Sequence, residues 1–191
     1  MKTEGHEIDW YDIRDTSEEE GTLMDLLMKL PRERWAERNS DGSTILHFAC
    51  CGPNVTAVKT LLQSGLMDVN ARDKRGRTPM YWAAATTVYS CVPTVQSRVL
   101  EMLCAAGADL RARSRFGYTP IDAALMYNTE IVRILVANGV RLSTLRDGLR
   151  NCITPDLEKF EQGVLRCRKA VVAILHLKKA AKLWARGSIS A

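Results

Sequence analysis

The chain has few of the features that announce chemistry. Among 191 residues there are three histidines, His6, His47 and His176. There is no HExxH, no GxSxG and no glycine loop of the kind that cradles a phosphate, so the usual signatures of metallohydrolase, serine hydrolase and nucleotide-dependent activity are missing. The six cysteines form no CxxC pair and lie inside apolar runs, which argues against a zinc ribbon or a disulfide framework and predicts reduced thiols in a cytosolic or nuclear protein. Long hydrophobic runs are also missing. The longest, AVVAILHL from Ala170 to Leu177, falls well short of the roughly 18 apolar residues needed to span a bilayer. The opening residues MKTEGHEIDW hold no apolar signal segment. The expectation is one soluble, intracellular, non-secreted globular unit without cofactor or metal.

Charge is segregated between the two ends of the sequence. Residues 1–20 carry eight acids against Lys2 and Arg14, a net of −6, whereas residues 162–191 carry seven bases and no acid. The first segment reads as an acidic, disordered arm and the last as a basic tail. The formal net charge of +5 conceals this segregation.

What is present is self-similarity. NSDGSTILHFACC continues to LLQSGLMDVNAR, DKRGRTPMYWAAA continues to LCAAGADLRAR, and SRFGYTPIDAALMYN continues to LVANGVRL. Each copy opens on Gly-x-Thr at Gly42, Gly76 and Gly117, and closes its second apolar stretch at Gly65, Gly107 and Gly139. The opening glycines are 34 and 41 residues apart, so the middle copy carries about eight extra residues, placed in TTVYSCVPTVQ between its two helices. Physically, Gly-x-Thr-Pro supplies a turn glycine, a capping oxygen and a proline at the first helical position, where a missing N–H costs nothing. The first helix of each copy is rich in small residues, and the second carries bulk at three-and-four spacing, as in Val58, Leu61 and Leu62 or Ile131, Ile134 and Leu135.

Over Asn39 to Leu142 the sequence resembles the ankyrin repeat family. The resemblance is carried by Gly-x-Thr-Pro in two copies, Thr-x-Leu-His and Asp-Val-Asn-Ala in the first, and Gly-Ala-Asp in the second. It implies an all-α solenoid of helix-turn-helix units joined by short hairpins. It also implies that His47 makes structural hydrogen bonds between turns. The departures are Ile45 where proline is usual, and Tyr81 and Asp122 where the family has histidine. The tail pattern CRKAVVAILHLKK followed by LWARGS bears a faint likeness to tails of ankyrin proteins encoded by large DNA viruses of protists.

The organisation expected is an acidic arm (1–20), a capping helix (21–38), repeats at 39–72, 73–113 and 114–142, and a C-terminal capping helix with basic tail (143–191). The long C-terminal helix should run from about Pro155 to Leu183, with Thr154 and Pro155 at its start. No catalytic residues are expected, and a non-enzymatic protein-interaction module follows. The resemblance places partner contacts on hairpin tips and on the concave face of the first helices. That points to Phe48, Lys74, Arg75, Arg77, Trp82, Arg111, Arg113, Arg115, Phe116, Tyr118 and Tyr127, a basic and aromatic set suited to an acidic protein or peptide bound by a monomeric array. The alternative is contact with nucleic acid or anionic membrane through Lys178, Lys179, Lys182 and Arg186. Asn70 matches the hairpin asparagine that asparaginyl hydroxylases modify in the family.

Overall fold

In the computed structural model, residues 22–52, 54–85 and 93–185 are described. All regular structure among them is helical. The acidic arm and most of the middle-copy insertion lie outside these residues. The chain divides into two compact units, Met1–Cys152 and Ile153–Ala191.

The first unit begins with α1 (Thr22–Lys29), which buries Leu23 and Leu27. A single 3-10 turn at Arg32–Arg34 then leads to the buried Trp35. Three helix pairs follow: α2 (Ile45–Cys51) with α3 (Val55–Gln63), α4 (Pro79–Ala85) with α5 (Pro93–Ala105), and α6 (Pro120–Tyr127) with α7 (Thr129–Ala137). Helix α2 packs on α4 and α4 on α6, while α1, α3, α5 and α7 contact one another in turn to form a second row. The first row packs closely because its facing positions are small: Ala49, Cys50, Ala83, Ala84 and Ala124 are all fully buried. The second row supplies bulk through Val58, Leu61, Val99, Leu100, Leu103, Ile131, Val132 and Leu135, which are excluded from water or nearly so. Burial of this kind stabilises by about 1.5–3 kcal/mol per large aliphatic side chain and is the main cohesive term.

Residues 93–96, assigned to the insertion by the spacing of the glycines, form the first turn of α5. That helix therefore has 13 residues, against nine each for α3 and α7. After α7 come 3-10 segments at Leu142–Thr144 and Asp147–Cys152, the latter lying against α6.

The second unit contains α8 (Pro155–Ala185), 31 residues and so about 46 Å long. It starts as expected, with the Thr154 carbonyl accepting from Leu157 and Glu158 and with Asp156 and Glu158 in the first turn, where the helix dipole favours acids. It ends two residues later than the sequence pattern indicated.

Candidate interaction surface at the hairpin joints

Each joint is built by the same local rule. Asn39, Asp73 and Ser114 occupy one register, three residues before the opening glycine. Each donates its backbone N–H across the turn, to Ser43, Arg77 and Tyr118 respectively, and accepts the N–H of the glycine on its own carbonyl. Their side-chain oxygens accept further N–H groups of the same turn: Asn39 from Asp41 and Ser43, Asp73 from Arg75 and Arg77, Ser114 from Tyr118. The glycine must take positive φ, and at Gly76 (+73°) a Cβ would lie 3.0 Å from the Arg115 nitrogen. Adjacent tips can therefore meet: Lys74 N–H donates to Asp41 O and Arg115 N–H to Arg75 O, each at 2.8 Å.

This wiring sorts the candidate contact residues into two groups. Lys74, Arg75, Arg115 and Phe116 stand exposed on the tied tips, Phe116 at 67 %. Others serve the array itself. Arg77 lies over the Trp82 ring at 4.8 Å and pairs through Nε with Asp73 Oδ2 at 2.7 Å. Trp82 Nε1–H donates to that same oxygen at 3.1 Å. Phe48 is 6 % exposed and meets Trp82 edge-on at 5.4 Å, so it packs between repeats instead of facing an open groove. Tyr118 is covered by Arg146, 4.4 Å from its ring, and Arg146 also donates to Phe116 O. Arg111 donates to Gly139 O and Arg113 to Gly117 O. The side chains of Tyr127, Lys178, Lys179 and Lys182, and all of Arg186, lie outside the described residues.

Electrostatically, the centre of the array is the Asp73 cluster. Burial works against the Asp73 charge. Hydrogen bonds from the Arg77 backbone, the Arg77 guanidinium and the Trp82 indole outweigh it and hold the carboxyl below its usual range. His47 is fully buried and 5.5 Å from the Trp82 ring. Its Nδ1 accepts from Thr44 N–H and hydroxyl, leaving Nε2 to donate to Arg77 O at 3.2 Å. Burial depresses its pKa to about 4, against a partial opposing effect of that carbonyl, so the ring is neutral at physiological pH and holds two turns together. Cys50 is likewise buried, which pushes its thiol pKa well up and keeps it protonated. Asn70 bridges to the next copy, its amide nitrogen donating to Gly107 O at 3.3 Å and its oxygen accepting from Asp109 N–H at 2.7 Å.

Sequence reasoning overlooked Asp73, Gln96 and Arg146. The register shared by Asn39, Asp73 and Ser114 was the available signal for the first. Gln96 and Arg146 act through contacts distant in sequence, to Cys50 O and Ala83 O for Gln96 and to Asp122 and Phe116 for Arg146.

Comparison with known proteins agrees with this geometry. Residues 17–96 match the family model described as ankyrin repeats (3 copies). Those residues carry the ankyrin-repeat match, and the Gly117 joint, beyond the matched span, repeats the turn geometry of the two before it. The chain is 32% identical over 83 residues to the E3 ubiquitin-protein ligase KEG of Arabidopsis thaliana, covering 44% of this chain and 5% of that protein. It is 30% identical over 125 residues to the tyrosine-protein kinase Shark of Drosophila melanogaster, covering 64% of this chain and 12% of that protein. The chain thus spans a small part of each relative, and the ligase and kinase activities in their names are properties of those proteins. The likeness of the tail to viral ankyrin proteins finds no support among these relatives. Ankyrin repeats are in general protein-interaction modules. Among the described residues, no helix is long and apolar enough to cross a membrane.

Proposed function

We propose that the chain is a non-enzymatic, intracellular adaptor whose ankyrin array, acting as a monomer, binds an acidic protein or peptide through its hairpin tips. The observation that carries this is the row of Lys74, Arg75, Arg115 and Phe116. Three cations flank an aromatic ring 67 % exposed, on tips tied to one another by backbone hydrogen bonds. Rigid groups lose little freedom on binding, and arginine and aromatic residues are the types enriched where binding energy concentrates. Arg77 and Trp82 support the tips through Asp73, and Phe48 packs on Trp82 between the first two copies. The acidic arm (1–20), leading cap (21–38), repeats (39–142) and C-terminal segment (143–191) form the proposed working divisions.

The test is affinity capture with the full chain, followed by kinetics on the partner so identified. Reversing Arg75 and Arg115 to Glu should raise the dissociation rate and weaken binding by about 2 kcal/mol per arginine or more. Neutralising Lys178, Lys179, Lys182 and Arg186 should mainly slow association and flatten its salt dependence. If the tail variant alone loses binding, the reading of nucleic acid or anionic membrane as the ligand of the C-terminal helix replaces this one.

Asn70 is proposed as a hydroxylation site on its family register alone. Because both ends of its amide are engaged with the next copy, a modifying enzyme must first open that joint. Intact-mass analysis after co-expression with an asparaginyl hydroxylase should show one added oxygen at Asn70, and its absence removes the proposal.

A further inference from the structure

We propose that the cleft beyond the third joint binds a side-chain carboxylate of an acidic peptide, with Arg111 and Arg113 as its recognition residues. This rests on the reading of the array as a binder of acidic segments and gives that reading a second, separate contact point.

The argument starts from a ladder of arginines. Arg38, Arg72 and Arg113 stand in one register, immediately before Asn39, Asp73 and Ser114. Arg38 Nη1 donates to Gly42 O of its own joint at 2.9 Å and to Arg72 O of the next at 2.8 Å. Arg72 Nη1 donates to Arg113 O at 2.8 Å. Arg113 Nη1 reaches Gly117 O of its own joint at 3.0 Å, and there the ladder stops. The remaining N–H groups of Arg113 have no partner among the described residues. Arg111, two residues earlier, spends one N–H on Gly139 O at a long 3.3 Å.

Arg111 and Arg113 line a cavity of about 250 Å³, together with Leu110, Thr119, Val140 and Thr144. The polar chemistry of that lining is one-sided. The Thr119 hydroxyl is committed to Asp122 at 2.7 Å and that of Thr144 to Arg141 O at 2.6 Å. The nearest acid along the chain, Asp109, has its Oδ1 on the Arg111 backbone N–H at 2.9 Å. The uncommitted polar groups among the lining residues are guanidinium donors of Arg111 and Arg113, which call for an acceptor carrying negative charge. The volume lies below the roughly 300–1,000 Å³ of sites that enclose whole small molecules, so it suits one protruding group. Leu110 and Val140 offer apolar wall to the methylenes of a Glu or Asp side chain, which a bare phosphate would leave unused.

The experiment titrates the full 15N-labelled chain with N-acetylglutamate N-methylamide, following the Arg111 and Arg113 Nε–H and Thr144 amide signals at constant ionic strength. Saturable shifts confined to this joint are expected. The glutamine analogue should give none, and Arg113→Gln should weaken the response by about tenfold or more, as expected for loss of a charge-assisted hydrogen bond. Arg75→Gln should leave it intact. Equal shifts with the glutamine analogue, or full retention in Arg113→Gln, would overturn the proposal. So would saturation by the blocked phosphoserine analogue without response to glutamate, which would make this a phosphate site. If Arg113→Gln fails to fold, Arg111→Gln carries the same expectation. Partner binding that survives Arg75→Glu with Arg115→Glu while these shifts persist would defeat the tip reading alone, and absence of the shifts in a chain that still binds its partner would defeat only the cleft.

Discussion

At the start of α2, His47 accepts from Thr44 and donates from Nε2 to Arg77 O. At the start of α6, Asp122 occupies the same position, accepts from the Thr119 N–H and hydroxyl through Oδ2 at 2.7 Å each, and accepts the Arg146 N–H through Oδ1 at 3.1 Å. Both residues are fully buried and close a capping box. The difference lies in what the following segment presents. A carbonyl comes down beside the first copy and requires a donor, whereas an N–H comes down beside the third and requires an acceptor. A departure from the family residue is thus a change of polarity matched by the neighbour, and the array stays satisfied at both places.

The comparison breaks most severely at Asp122. Replacing it with Ala strips three donors of their acceptor in a dry site, and urea denaturation should show a loss of about 3 kcal/mol or more. Exchanging the polarity sharpens the point. His47→Asp would set a carboxylate against Arg77 O, and it should destabilise more than His47→Gln, which keeps a donor.

The next effect is in pH. The unfolded chain protonates His47 near 6.5 and the folded chain only near 4, so its contribution is complete above 6.5 and is lost as pH falls toward 4. The loss amounts to up to roughly 3 kcal/mol. Asp73, with its folded carboxyl held below 3.8, adds a second loss at still lower pH. Thermal melts from pH 7 to 4 should slope downward in the native chain and flatten over 6.5 to 4 in His47→Gln. A persistent slope would assign the effect to other groups.

The smallest effect compares two turns. Gly76→Ala meets the Arg115 nitrogen as well as an unfavourable φ, whereas Gly117→Ala, at φ +80° with nothing within 4 Å, meets only the φ penalty. Losses of about 2 and about 1 kcal/mol are expected, read from the same denaturation curves.

The repeat, the capping threonines and the closing glycines were legible in the sequence because each depends on local chemistry that recurs. The small-residue row on α2, α4 and α6 was legible for the same reason. The division of the tip residues was not. Arg75 and Arg77 differ by two positions and read alike, yet one stands in solvent and the other is folded over Trp82 against Asp73. That choice is made by Asp73 and Trp82, four and five residues from Arg77, and it lies in the geometry of the turn, which residue type alone does not reveal. The arginine ladder lay between these cases: its register repeats visibly before Asn39, Asp73 and Ser114, but its reach into the next joint needs three dimensions.

Gln96 carries a consequence for how the array comes apart. Its amide nitrogen donates to Cys50 O at the end of α2, at 3.0 Å, and to Ala83 O in α4, at 2.8 Å. One planar group thereby links backbone carbonyls of two successive copies from within the second helix of the latter. In a linear array, unfolding is governed by the coupling between nearest neighbours. A buried double hydrogen bond at the first junction raises that coupling where the chain also contains its longest interruption. Native-state hydrogen exchange should therefore show the first two copies opening together, with fraying from the far end stopping at α5 before it reaches α2.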